Sequence, residues 1–241
     1  MATLTTTSTT ATAAAQATAA AASRSQQRVQ RRNDRVLLPP TTLLRSPPFP
    51  SLFQVSLHKI PSHLKDEVKL VFPEIIETLQ HHHNNTTTTT TTTDDSKRLM
   101  LAIPTIHTCR FNVLEREEKT EMERNRIFAR FSHFANIYKT LLTRIDSGAF
   151  VDFVDIDGGA STTAGGQAIF DEVMSCKALL GYKLTRYCGV TMAVHPAAGW
   201  KTLALHTIVV CGKSKEVVAV LQEMINSYTI SVDGRSGEYI L

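Results

Sequence analysis

Residues 126–156 read RIFARFSHFANIYKTLLTRIDSGAFVDFVDI, and this stretch decides the fold class. Phe128, Phe131, Ala135, Tyr138, Leu142 and Ile145 recur at alternating spacings of three and four, the signature of a helix with one apolar stripe. Arg124, Arg130 and Lys139 fall off that stripe and can stay wet, and Gly148 supplies a C-terminal stop. The pattern then changes: Phe150 to Ile156 is apolar apart from Asp152 and Asp155, as expected of a strand. A one-sided helix handing over to a strand predicts mixed layers around a shared core.

Upstream, Asn112 and Glu115 make a capping box that would open the long helix. Leu99 to Ile103 is a short apolar run suited to an interior strand. Phe53, Val55 and Leu57 alternate with Gln54, Ser56 and His58, the period of a half-buried strand. Ser62 can cap a short helix lined by Leu64, Val68, Val71 and Phe72, which Pro73 ends.

Downstream, a glycine-rich loop from Asp157 to Gly166 leads into a helix whose buried side is Phe170, Val173, Met174 and Leu180, with Gly181 as its stop. Lys183 to His195 and Trp200 to Cys211 read as two strands joined around Pro196 to Gly199, most simply as an antiparallel hairpin. Ser214 can cap a last helix with Val217, Leu221, Met224 and Tyr228 on one face. The expectation is an α+β fold, a sheet containing antiparallel strands covered by helices.

Composition divides the chain. Met1 to Asn33 holds no Asp or Glu and is dominated by Ala, Thr, Ser and Gln, with Arg24, Arg28, Arg31, Arg32 and Arg35 following in quick succession. An acid-free, arginine-bearing start without a continuous apolar core is the composition of an organelle transit peptide, here of the mitochondrial kind; the alternative is low-complexity disorder with no address. Proline-rich Leu38 to Pro50 reads as a linker, so residues 1–50 are expected to form a transit peptide and disordered linker. Residues 51–241 then form one globular domain, enough to bury roughly two-thirds of its unfolded surface. A low-complexity insert at 81–95, three histidines followed by two asparagines and a threonine run, reads as a solvated loop. Its consecutive histidines lack a rigid frame to fix metal geometry.

The net charge of +4 owes much to the N-terminal arginines. With no basic stripe interleaved with aromatics, nucleic-acid binding is not expected. No run of eighteen apolar residues exists, so no membrane span is expected. Cys109, Cys176, Cys188 and Cys211 show no CxxC spacing, against a zinc site or disulfide framework. The glycine loop is neither GxGxxG nor GxxxxGK[ST]. Asp152, Asp155 and Asp157 could serve a hard cation, but their ordinary role is at the end of a strand, where Asp155 or Asp157 can hydrogen-bond backbone amides of the turn. Cys188 and His195 on one extended strand would lie about 23 Å apart, too far for a nucleophile and its base. The lone Trp200 reads as core.

From about Phe53 to Val210 the chain resembles the methylmalonic aciduria and homocystinuria type D (CblD) family. The resemblance is carried by Pro61-Ser62-His63-Leu64-Lys65-Asp66, by Leu70-Val71-Phe72-Pro73-Glu74, by the helix start at Glu121, Glu123 and Arg124, and most specifically by Val151-Asp152-Phe153-Val154-Asp155. Ile169-Phe170, Leu180-Gly181-Tyr182, His195 and Gly199 follow in the family's order. Ile156 stands where the family often has proline, and Trp200 follows Gly199 where the family's tryptophan precedes the glycine.

The resemblance implies a nitroreductase-like sheet with flanking helices, without flavin. It implies a non-enzymatic adaptor in cobalamin trafficking that binds the CblC protein and directs cobalamin to methionine synthase in the cytoplasm and methylmalonyl-CoA mutase in the mitochondrion. No cofactor would be bound tightly, the cobalamin being presented by the partner. Cys188 would be the cofactor- and metal-binding residue, a thiolate toward the cobalt. Asp152, Asp155, His195, Gly199 and Trp200 would face the partner. The family's adjacent cysteines fall on Gly189 and Val190, one position after Cys188, so a continuous strand would turn Cys188 to the opposite face unless a bulge near Gly189 restored it. The alternative function is a flavin-dependent, nitroreductase-like oxidoreductase.

Overall fold

Leu101 and Ile103 point to one side of their strand and Met100, Ala102 and Ile106 to the other, and all five are buried. Such a strand needs an apolar layer on each face, and the structure supplies two. The computed structural model describes residues 34–46, 51–84, 98–112, 115, 117–155, 161–162, 168–196, 199 and 203–233, with isolated positions between 20 and 30. The chain divides into two compact units, Met1–Val36 and Leu37–Leu241. In the first, the Asp34 N–H donates to the Gln30 carbonyl at 3.0 Å, closing a turn.

The second unit holds a five-stranded sheet in the order β1 (Val36–Ser46), β2 (Ser51–Lys59), β3 (Arg98–Thr108), β7 (Leu203–Lys213), β4 (Phe150–Phe153). The pairs β2–β3, β3–β7 and β4–β7 are antiparallel. Among the described residues five helices accompany it: α1 (Lys65–Val71), α2 (Glu74–Asn84), α3 (Glu118–Ile145), α4 (Glu172–Leu180) and α5 (Ser214–Asp233). On one face Phe53, Val55, Leu57, Leu101, Ile103, Ile208 and Val210 pack against Phe131, Phe134, Tyr138 and Leu142 of α3 and Val217 and Leu221 of α5. On the other, Met100, Ala102, Ile106, Val209 and Cys211 meet Val68 and Val71 of α1, Ile75 of α2 and Cys176, Leu179 and Leu180 of α4. The α+β expectation holds, with an antiparallel sheet between helices. Among the described residues no helix is long and apolar enough to cross a membrane.

Several local expectations change. Leu38 to Pro50 is not a linker throughout: β1 runs to Ser46, and its Leu43 is buried in the core. Strand β1 lies at the edge of the sheet, where alternate N–H groups have no partner strand, so one of the adjacent Pro39 and Pro40 removes no ladder bond. The globular unit therefore begins at Leu37 rather than 51. Strand β2 is buried on both faces, Ser56 and His58 as well as Phe53, Val55 and Leu57. Ser62 caps nothing; it opens a 3-10 turn, Ser62–Leu64, with Pro61 before it and no side-chain cap. His81 to Asn84 belong to α2 rather than to a loop, and residues 85–97 lie outside the described set.

The long helix starts at Glu118, with Glu117 and not Asn112 at its N-cap; Asn112 and Glu115 close a separate turn at 3.0 Å. What holds the segment before it is Glu123, whose buried carboxylate accepts from the N–H groups of Arg110 (2.8 and 2.9 Å) and Phe111 (3.1 Å). The stripe of α3 is buried at Phe131, Ala135, Tyr138 and Leu142, gains Phe134, and ends before Ile145, which is exposed. Asp171 caps α4 by accepting the Met174 N–H at 2.9 Å, and Met174 itself is exposed. Gly181 ends the helix in the left-handed conformation at φ 67°.

Strand pairing departs most from expectation. Strand β7 does not pair with residues 183–195; it lies between β3 and β4. Residues 183–195 instead fold back on themselves as a separate two-stranded hairpin, β5 (Lys183–Tyr187) and β6 (Val190–Val194). Local sequence marks strand-forming stretches, but which strands pair depends on the core they share.

Phe131 is fully enclosed by the sheet face, so Phe131→Ala is expected to lose about 3–5 kcal/mol of stability. Exposed Asn136→Ala, on the opposite side of the same helix, should stay within about 0.5 kcal/mol. Urea midpoints of the two variants compared with the parent check the assignment; equal small shifts would contradict the buried stripe.

Candidate functional site

The hairpin β5–β6 places Cys188 at its turn. Tyr187 pairs with Val190, leaving Cys188 and Gly189 as a two-residue loop with φ of 49° and 82°. Positive φ at both positions is the mark of a type I′ turn, whose backbone twist suits antiparallel strands and which normally takes Asn-Gly. Cys188 is the one non-glycine residue with positive φ among the described residues. A side chain there costs about 1 kcal/mol because Cβ crowds the following carbonyl. The turn carries its thiol into solvent, flanked by Tyr187 and Val190, each nearly half exposed. The question of which strand face Cys188 takes does not arise, since a turn residue is outside the strand alternation, and no bulge is needed.

The other three thiols are different in kind. Cys109, Cys176 and Cys211 are buried. Burial, helped by the Glu123 carboxylate, pushes Cys109 up to about 12. Burial, helped by Glu172, pushes Cys176 up to about 12. Burial pushes Cys211 up to about 11, with Arg98 opposing and Asp146 adding. Only the thiolate is a strong nucleophile or metal ligand, so these three are chemically quiet at neutral pH.

The remaining expected residues scatter. His195 and Gly199 pair through two backbone hydrogen bonds of 2.9 and 3.0 Å at the base of the hairpin, and Gly199 takes φ 71°. His195 is buried, its ring edge-on to Tyr182 at 5.3 Å, and burial lowers its basicity. It orients the turn that follows it. Asp152 is not at the surface: its side chain is buried and accepts from the hydroxyls of Ser161 and Thr162, while the Thr162 N–H donates to the Phe153 carbonyl at 3.0 Å. The strand end is thus anchored through Asp152 and two hydroxyls, where the sequence points to Asp155 or Asp157 and turn amides, and Asp152 is buried rather than facing outward. Asp155 is exposed. Trp200 and Asp157 lie outside the described residues. Structure thus brings His195 and Gly199 together. Among the described residues no group of three or more His, Cys, Asp or Glu is placed to hold a metal ion.

One polar group escaped the sequence reading. Strand β4 ends at Phe153, opposite Ile208, and Glu172 occupies the edge of β7 beyond it. Its Oε1 accepts the Thr207 N–H at 2.8 Å, and its Oε2 lies 3.8 Å from His206 Nδ1. The His206 ring stacks on Phe131 (4.7 Å, 25°) and meets Phe128 edge-on, with His107 at 5.9 Å beyond. Burial raises Glu172 to about 8, against the Thr207 hydrogen bond and with help from Asp171. Burial lowers His206 to about 4, and burial holds His107 well below its ordinary value, with the nearby His206 and Arg130 lowering it as well. No pattern signals this: Glu172 reads as an ordinary acid in a helix's first turn, and His206 as a polar member of an apolar strand.

Chemically, the molecule offers one outward thiol on a projecting turn and a half-buried carboxyl group beside an imidazole. Compared with known proteins, the chain matches no family model and no curated protein.

Accessibility and thiol basicity together predict that a thiol reagent at pH 8 modifies one cysteine rapidly in the folded protein, Cys188. Peptide mass mapping should find Cys109, Cys176 and Cys211 labelled only after denaturant is added. Two or more fast thiols in the native state would contradict the burial pattern.

Proposed function

We propose that the chain is a non-enzymatic adaptor of the CblD type, which meets a CblC-like protein carrying cobalamin and offers Cys188 as a thiolate to the cobalt. The observation that carries this reading is the conformation of Cys188: an exposed thiol held at φ 49° in a turn position that asparagine or glycine would occupy at less cost. Thiolate is a soft ligand suited to transition metals. A cobalt ion within a corrin held by another protein can be reached only by a side chain that projects, and a hairpin tip projects. The family part of this reading rests on the resemblance of the ordered residues from Pro61 to Gly199, and the nitroreductase-like description of the sheet belongs to the same reading. Delivery to cytoplasmic methionine synthase and to mitochondrial methylmalonyl-CoA mutase, with import directed by the arginine-bearing N-terminus, completes it.

Cys188→Asn separates chemistry from folding, because asparagine suits a type I′ turn while lacking the thiol. Mixed with cobalamin-loaded CblC, the parent is expected to bind and to shift the cobalamin absorption spectrum toward a thiolate complex. Cys188→Asn should bind but leave the spectrum unshifted. An unchanged shift in the variant overturns the thiolate role, and failure of the parent to bind overturns the adaptor. A yellow purified protein releasing flavin on denaturation would favour the oxidoreductase alternative.

A further inference from the structure

We propose that Glu172 and His206 form a proton-holding clasp that fixes the first turn of α4 to the open end of β7 and, through α4, sets how firmly the Cys188 hairpin is held. The geometry is specific. Glu172 is the first residue of α4, and its carboxyl group spans from the Thr207 N–H at 2.8 Å to His206 Nδ1 at 3.8 Å. Helix α4 packs against both β7 and β6. Its Leu179 and Leu180 share a core with Ala193 of the hairpin, and Leu184 packs against the same group. A two-stranded hairpin is marginal by itself, so β5–β6 depends on that helix.

Burial discourages charge on both members of the clasp, Asp171 adds to this at Glu172, and the Thr207 N–H opposes it there. On the His206 side lie Phe128, Phe131 and His107, with Arg130 acting on His107. On the Glu172 side lie the Asp171 carboxylate and the Cys176 thiol, with Glu67 of α1 accepting the Asp171 N–H at 3.4 Å. Folded, the pair keeps one proton from about pH 4 to about pH 8, whichever of the two carries it. Opened to water, Glu172 loses its proton near its ordinary 4.5 and His206 near its ordinary 6.5. Between pH 4.5 and 6.5 both states hold one proton, and opening is insensitive to pH. Above pH 6.5 the closed clasp alone holds it, so opening becomes easier as pH rises until about pH 8, where the closed clasp loses it too.

The consequence for Cys188 rests on the adaptor reading; the clasp does not. Amide exchange of the full chain, without cobalamin or partner and corrected for the intrinsic base-catalysed rate, tests the clasp alone. Peptides covering α4 and β5–β6 should lose about tenfold in protection between pH 6.5 and 8.5, more than peptides of β2 or α5. Glu172→Gln keeps an acceptor for Thr207 but cannot ionise, and should abolish that loss. Protection of α4 and the hairpin that is flat with pH in the parent, that falls equally across the whole molecule, or that falls unchanged in Glu172→Gln overturns the proposal. Failure of the cobalamin experiment leaves this result untouched, and the reverse also holds.

Discussion

The ladder between β3 and β7 is the constraint on which the rest depends. Eleven consecutive residues pair, from Arg98 opposite Lys213 to Thr108 opposite Leu203, joining segments about a hundred positions apart in the chain. Bringing such distant segments together costs loop-closure entropy that must be recovered by burial on both faces. That requirement explains why α3 and α5 cover one face and α1, α2 and α4 the other. It also explains how Pro104 survives inside a central strand. The β7 ladder runs through it unbroken, whereas pairing with β2 covers Phe53 to Val55 and His58 to Lys59 and skips Ser56 and Leu57, where Pro104 has no N–H to give.

What was legible in the residues follows from this arrangement. Helix α3 is buried on one side only, so its apolar spacing writes that burial into the sequence, and Phe131, Ala135, Tyr138 and Leu142 could be picked out. The sheet, enclosed on both faces, loses the alternation that distinguishes inside from outside; Ser56 and His58 look like solvent-facing residues and are not. Strand β3 appears to stop at Ile103 because proline ordinarily ends such a run. Strand β1 resembles a linker for the same reason. Helix α2 hides because its last residues are the histidines of a low-complexity tract. The hairpin at 183–194 was concealed by Cys188: cysteine is no turn signal, and without one the flanking β-forming residues read as a single strand.

The site was legible in part. Cys188 stands out only once the other three thiols are known to be buried, a fact that belongs to packing and not to spacing. Asp152 illustrates the reverse. It lies in the most specific motif of the resemblance, yet its carboxylate is consumed by Ser161 and Thr162 at the strand end, so a conspicuous pattern here records how a loop is anchored. Glu172 and His206 left no trace because their meeting depends on where β4 stops and leaves the edge of β7 open.

These parts form a graded structure from sheet to tip. The central ladder is enclosed on both faces; α4 is attached to its edge through one carboxyl group and an apolar side; the hairpin rests on α4 at Ala193 and is closed at its base by the His195–Gly199 pair. Beyond that base, from Arg186 to Val190, every residue is exposed. Local opening free energy falls along such a series, because each step outward buries less apolar surface and leaves more backbone hydrogen bonds open to water. A thiol at the far end can therefore move with the hairpin while the positive φ of Cys188 keeps it projecting, and such motion leaves undisturbed the β3–β7 ladder that the rest of the fold needs.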